Sequence, residues 1–151
     1  MKIFMLAAVI LLMGTLAAQD TPATNTQRPQ PLSPSFVKAA KRAKKAIDSN
    51  YCQTPVCQET QKYIDDASVE ASTKAEQVTM TIIETYSLKI SLMNQLARNA
   101  ALAAEKFGGN GDAVLASNPQ YQQLRAETNR CSQAIDETLK SATFDPSITC
   151  K

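Results

Sequence analysis

Residues 56–107 read VCQETQKYIDDASVEASTKAEQVTMTIIETYSLKISLMNQLARNAALAAEKF and contain neither glycine nor proline. Apolar or small residues recur through this stretch at Ile64, Ala67, Ala71, Ala75, Val78, Ile82, Tyr86, Ile90, Met93, Ala97, Ala100, Ala104 and Phe107. Steps of three and four average close to the helical period, so the stretch reads as helix. Thr54 and Pro55 supply the entry, with Thr as N-cap and Pro at the first helical position. A single helix of this length would be about 80 Å long, more than one small domain needs. A break is therefore expected within residues 70–76, where Thr73 and Glu76 have the spacing of a capping box. Met80, Ile83, Leu88, Leu92 and Met93 add apolar residues outside the main stripe, so burial on more than one side is expected here.

Downstream, Gly108-Gly109-Asn110-Gly111-Asp112 ends the helix, since glycine accepts the left-handed cap that most residues resist. A short helical turn is expected from Ala113 to Ala116. Ser117-Asn118-Pro119 then restarts a helix, followed by Tyr121, Leu124, Thr128, Cys131, Ile135, Leu139 and Ala142 at helical spacing. Asp145-Pro146 ends it, and a short tail carries Cys150. No strand pattern is visible.

Upstream, residues 35–49 read as the first helix, capped by Ser33 or Ser35 with Pro34 near the first turn. Phe36, Ala40, Ala43 and Ile47 share its apolar face, while Lys38, Lys41, Arg42, Lys44 and Lys45 fill the opposite side. Between Arg28 and Lys45 lie six basic residues and no acid, whereas from Ala46 onward nine basic residues face thirteen acidic ones, a net of −4. Such a basic face docks on the acidic remainder of the chain or meets an external polyanion or partner. Residues 19–34 hold Pro22, Pro29, Pro31 and Pro34 among polar filler, and read as a disordered leader.

Before the leader, Met1-Lys2, the apolar run Ile3 to Met13 and the small residues Gly14 to Ala18 have the layout of a secretory signal peptide, with cleavage expected after Ala18 or Ala17. Residues 1–18 are thus assigned as signal peptide, 19–34 as leader and 35–151 as one helical domain. Secretion makes disulfides the expected state of Cys52, Cys57, Cys131 and Cys150. If the chain reverses near Ser72, Cys57–Cys131 and Cys52–Cys150 are favoured. If the middle helix is unbroken, Cys52–Cys57 and Cys131–Cys150 become the closer pairs. Zinc is a poor alternative, because Cys-x4-Cys with two distant single cysteines and no histidine is not zinc spacing.

The chain contains no histidine. That removes the commonest general base and the usual nucleophilic triads. Asp65-Asp66 and Asp136-Glu137 are adjacent acids that point about 100° apart on a helix, which suits a solvated face and not a catalytic dyad. The glycine cluster lacks the preceding strand and following lysine of a phosphate loop. No catalytic residue, metal ligand or cofactor is expected, and no nucleic-acid-binding motif is visible. Cys52…Pro55…Cys57 and Cys131…Ala134…Asp136…Leu139 are faintly similar to motifs of the secreted four-helix inhibitors of plant pectin methylesterases and invertases. Both within-pair cysteine spacings are far shorter here, so no residue role is carried over.

The expectation is an all-α, disulfide-stapled bundle of three or four helices that is secreted and acts by binding an extracellular protein, as an effector, inhibitor or cytokine-like ligand. Carriage of a small hydrophobic ligand or lipid is one alternative. Action on membranes through the basic helix is another. Lys38, Lys41, Arg42, Lys44 and Lys45 are the candidate contact residues.

Overall fold

The computed structural model describes residues 28–49, 58–147 and 150. The expected signal peptide, the leader up to residue 27, Cys52 and Cys57 lie outside the described residues. The fold is all-α apart from one two-residue ladder. Its elements are β1 (Gln30–Pro31), α1 (Pro34–Asp48), α2 (Gln58–Glu70), α3 (Lys74–Phe107), α4 (Gly111–Ser117), α5 (Pro119–Ser141) and β2 (Thr143–Phe144). Five helices among the described residues exceed the three or four expected. The additional one is α4, the turn anticipated at 113–116 extended in both directions.

Helices α1, α3, α4 and α5 each begin where a short polar side chain can satisfy free amides. Ser33 caps α1 by accepting from the Phe36 amide, with Pro34 at the first position. Thr73 caps α3 in a complete capping box with Glu76, which makes the expected break at residues 71–73 real. Asn110 and Asn118 cap α4 and α5. Gly108 closes α3 at φ 72°, and the amides of Gly108 and Gly109 both donate to the Ala104 carbonyl. Gly111 brings α4 against α3. A β-carbon there would come within 3.1 Å of the Ala101 backbone.

Helix α1 lies between α2 on one side and the α3/α5 pair on the other, and α2 touches α3 mainly near their junction. Phe36, Ala40, Ala43 and Ile47 are buried as expected, against Ile64, Ala67, Ile83, Ile135 and Leu139. The ladder pairs Gln30 with Phe144 and Pro31 with Thr143, antiparallel, and the Leu32 amide donates to Ala142. This corrects two expectations. Residues 30–34 belong to the fold and not to a disordered leader, and a strand pair exists. Its two residues per strand are too few to leave a periodic signal in the sequence.

Ala142 closes α5 in the left-handed conformation, φ 51°, and turns the chain back along the helix. That return brings Cys150 to Cys131, with 4.7 Å between α-carbons, and the two form a disulfide. The favoured pairings Cys57–Cys131 and Cys52–Cys150 are therefore incorrect. The reversal near Ser72 does occur, but α1 stands between α2 and α5 and keeps the start of α2 away from Cys131. Closing a loop of 19 positions stabilises the fold by about 3 kcal/mol in the chain-entropy account.

Glu76 joins three segments at the ladder end of the bundle. Its carboxylate is fully buried. Oε1 accepts from the Ser33 amide at 2.8 Å, and Oε2 accepts from the amides of Ser72 and Thr73 and from the Ser72 hydroxyl. Burial pushes the carboxyl up, but hydrogen bonds from Ser33, Thr73 and Ser72 outweigh it and bring its pKa down to about 2.

At about 50 Å, α3 is longer than the bundle that surrounds its first half. Its second half forms an arm with α4 and the start of α5. The Lys89–Glu127 ion pair, 2.6 Å, fastens α3 to α5 at the root of this arm. Across residues 87–127 only Ala100 is buried. Burial of α3 on more than one side is thus overturned for Leu88 and Leu92, which are 67% and 52% exposed. No further helix among the described residues covers them.

Candidate functional site: the basic ridge of α1

Lys38, Lys41, Arg42 and Lys45 follow one another at intervals of three, one and three, which places them on a single strip of α1. All four are exposed, and none makes an ion pair among the described residues. The apolar face beneath them fixes the strip's direction, because Phe36, Ala40, Ala43 and Ile47 can be buried in only one rotation of the helix.

Lys44 departs from the expectation that it shares the wet face. It is buried, and its ammonium lies 2.7 Å from Asp48 Oδ2, 3.4 Å from Asp136 Oδ1 and 5.1 Å from the centre of the Tyr86 ring. The Tyr86 hydroxyl donates to Asp48 Oδ1 at 2.7 Å. Burial, together with the hydrogen bond to Asp48 and the charges of Asp48 and Asp136, pushes the Tyr86 phenol up to about 12, against the opposing pull of Ser132. The reason for the departure is positional. One step off the strip, Lys44 points at α5, where burying its stem is favourable and Asp136 meets its charge.

Two grooves flank the ridge. One, of about 260 Å³, runs between α1 and α5 and is lined by Lys41, Lys44, Lys45, Asp48, Asp136, Leu139 and Lys140. The other, of about 440 Å³, is lined by Arg42, Lys45, Ala46 and Ser49 of α1 and Tyr63 of α2. Lys45 borders both. In the first groove Lys41, Lys44, Lys45 and Lys140 outnumber Asp48 and Asp136, which leaves a net charge of 4 − 2 = +2. Lys140 and Tyr63 were not legible as site residues. They lie 95 positions after and 18 positions after Lys45 in the chain, and only the packing of α2 and α5 on α1 brings them here.

Chemically, the ridge offers cations without a nucleophile or a general base among them. It can hold anionic groups by charge and hydrogen bonding, with Tyr63 and Leu139 as apolar borders. Among the described residues there is no cluster of three or more potential metal ligands. No helix of the described residues is long and apolar enough to cross a membrane. No protein-family model matches the chain, and neither a curated protein nor a solved structure matches it.

Proposed function

We propose that the chain is a secreted binding protein that engages an anionic partner through the ridge of α1. The observation that carries this reading is the exposed strip Lys38, Lys41, Arg42 and Lys45, unpaired among the described residues and set between two grooves. Had the ridge served only to dock on the chain's own acidic body, these cations would meet carboxylates as Lys44 does. The N-terminal layout of residues 1–18 supports an exported protein, and the Cys131–Cys150 disulfide suits an oxidising compartment. The partner is an extracellular protein with an acidic surface, and affinity should fall as salt screens the contact.

The test replaces Lys38, Lys41, Arg42 and Lys45 together by Gln and compares capture of partners from extracellular fluid with that by the unaltered protein. Loss of one specific, salt-sensitive partner with unchanged helical content is the expected result. Retention of every captured partner refutes the assignment. Binding transferred wholly to heparin or to anionic vesicles assigns the ridge to a polyanion or to a membrane surface in place of a protein.

A further inference from the structure

The groove of about 440 Å³ between α1 and α2 differs in kind from its neighbour. Arg42, Lys45, Ala46 and Ser49 line it from α1 and its C-cap at steps of three, one and three, so one face of that helix forms one wall. Tyr63 of α2 stands on the other side with 37% of its surface exposed. The lining holds two cations and no carboxylate, whereas Asp48 and Asp136 stand in the groove beside α5. Neither Arg42 nor Lys45 makes an ion pair among the described residues. An anion entering here is attracted by two side chains of the lining and repelled by none. The guanidinium and the ammonium are donors only, and the Ser49 hydroxyl can donate as well. The Tyr63 ring and the Ala46 methyl complete the lining. Hydrogen-bond donors and an aromatic surface thus share one groove, of a volume within the roughly 300–1,000 Å³ of small-ligand sites.

We propose that this groove is a subsite for a tyrosine side chain esterified with a tetrahedral oxyanion, sulfate or phosphate, on the extracellular partner. It rests on the reading of the α1 ridge as a protein-binding surface and names what the partner presents there. Such an ester keeps its negative charge at neutral pH and offers three terminal acceptor oxygens. The carboxylate of an Asp or Glu offers two. Three oxygens can pair with the Arg42 fork in bidentate fashion and still reach Lys45 and Ser49. The ring that carries the ester can pack on Tyr63, offset or edge to face. An aliphatic carboxylate would leave the Tyr63 ring without a partner. A sulfated glycan presents its anions in series and would load Lys38 and Lys41, which lie outside this lining, as heavily as Arg42 and Lys45.

Amide chemical-shift titration of the isotope-labelled full chain from a secreting host tests the subsite. The probes are the O-sulfate and the O-phosphate of N-acetyltyrosinamide, the unesterified amide, inorganic sulfate and a heparin-derived disaccharide. The expected result is saturable shifts centred on Arg42, Lys45, Ser49 and Tyr63 with an ester, at lower concentration than with any other probe. The tighter of the two esters assigns the oxyanion. Arg42→Lys keeps the charge, removes the fork and should weaken the ester about threefold or more. Tyr63→Ala should cut the ester's advantage over inorganic sulfate about twofold to tenfold, with unchanged helical circular dichroism. If Tyr63→Ala fails to fold, Arg42→Lys at an exposed position carries the test. Lys106→Gln, on the exposed end of the arm, removes an equal charge and should leave ester binding unchanged. No saturable shift, inorganic sulfate or the disaccharide binding as tightly as the esters, or indifference to Arg42→Lys and Tyr63→Ala overturns the subsite. If the ridge variant loses its partner while no ester binds, the subsite falls and the ridge reading stands. If an ester saturates the groove while the ridge variant keeps every partner, the ridge reading falls and the subsite stands.

Discussion

Glu76 Oε1 accepts the Ser33 amide at 2.8 Å across 43 positions of sequence, and so fastens the entry to α1 onto the first turn of α3. The same carboxylate holds Ser72 and Thr73, so the α2–α3 junction and the ladder end of the bundle hang on one buried charge. In the unfolded chain this carboxyl titrates near its ordinary 4.5, and in the fold near 2. The unfolded state therefore takes up the proton first as pH falls. The stabilisation is fully present above about 4.5 and is lost progressively down to about 2, and its size is about 3 kcal/mol. Urea denaturation at a series of pH values should show this acid limb. Glu76→Gln should flatten it and lower stability at neutral pH by about 2–4 kcal/mol, because an amide nitrogen cannot accept from the same donors.

The Tyr86–Asp48–Lys44 cluster sets an alkaline limb. A phenol raised from 10 to about 12 in the fold contributes stability that is complete below pH 10 and is lost as pH rises through 12. Ultraviolet titration of phenolate should show one tyrosine that ionises late, and Tyr86→Phe should remove that component. Lys44→Met keeps the buried stem while removing the charge from partly exposed carboxylates. It should change stability by less than about 1 kcal/mol, whereas Lys44→Ala should cost about 2 kcal/mol through lost packing.

Gly111→Ala tests how α4 reaches the arm. The added methyl would meet the backbone of Ala100 and Ala101 at 3.1–3.2 Å, where no side chain can swing aside. The expected loss is about 1–3 kcal/mol. Hydrogen exchange should place it in α4 and the end of α3, with the core around Phe36 and Ile135 unaffected.

Ala142 offers a gain. It holds φ 51°, where a β-carbon crowds the following carbonyl. Ala142→Gly relieves that crowding while freeing the unfolded chain, so the net stabilisation should be about 0.5–1 kcal/mol. A raised thermal midpoint with the Cys131–Cys150 bond intact in a non-reducing peptide map would confirm it.

Legibility in the sequence followed the range of the interaction. Thr73 with Glu76, Ser33 with Pro34, Asn118 with Pro119 and the glycines after Phe107 are local signals, and each marks a boundary the fold observes. The ladder was hidden because Gln30-Pro31 looks like any proline-rich segment until Thr143 and Phe144 lie beside it. Cys131–Cys150 depended on Ala142 turning the chain, a left-handed conformation that alanine does not advertise. Lys44 looked like its basic neighbours. Asp48, four positions on, was a visible partner, but Asp136 was not. Leu88 and Leu92 read as buried because periodicity reports a helix face without reporting whether another helix stands opposite it.

The ladder has a mechanical consequence. Because Gln30–Pro31 pairs antiparallel with Thr143–Phe144, the segment by which the folded body is entered is held at one end of it, while Gly108 lies at the tip of the arm some 50 Å along α3. Through the Cys131–Cys150 bond, a pull between Arg28 and Cys150 reaches α5 directly at Cys131 and leaves the loop that contains β2 unloaded. Anything carried on the segment before Arg28 is correspondingly anchored at the pole of the molecule farthest from the arm's tip.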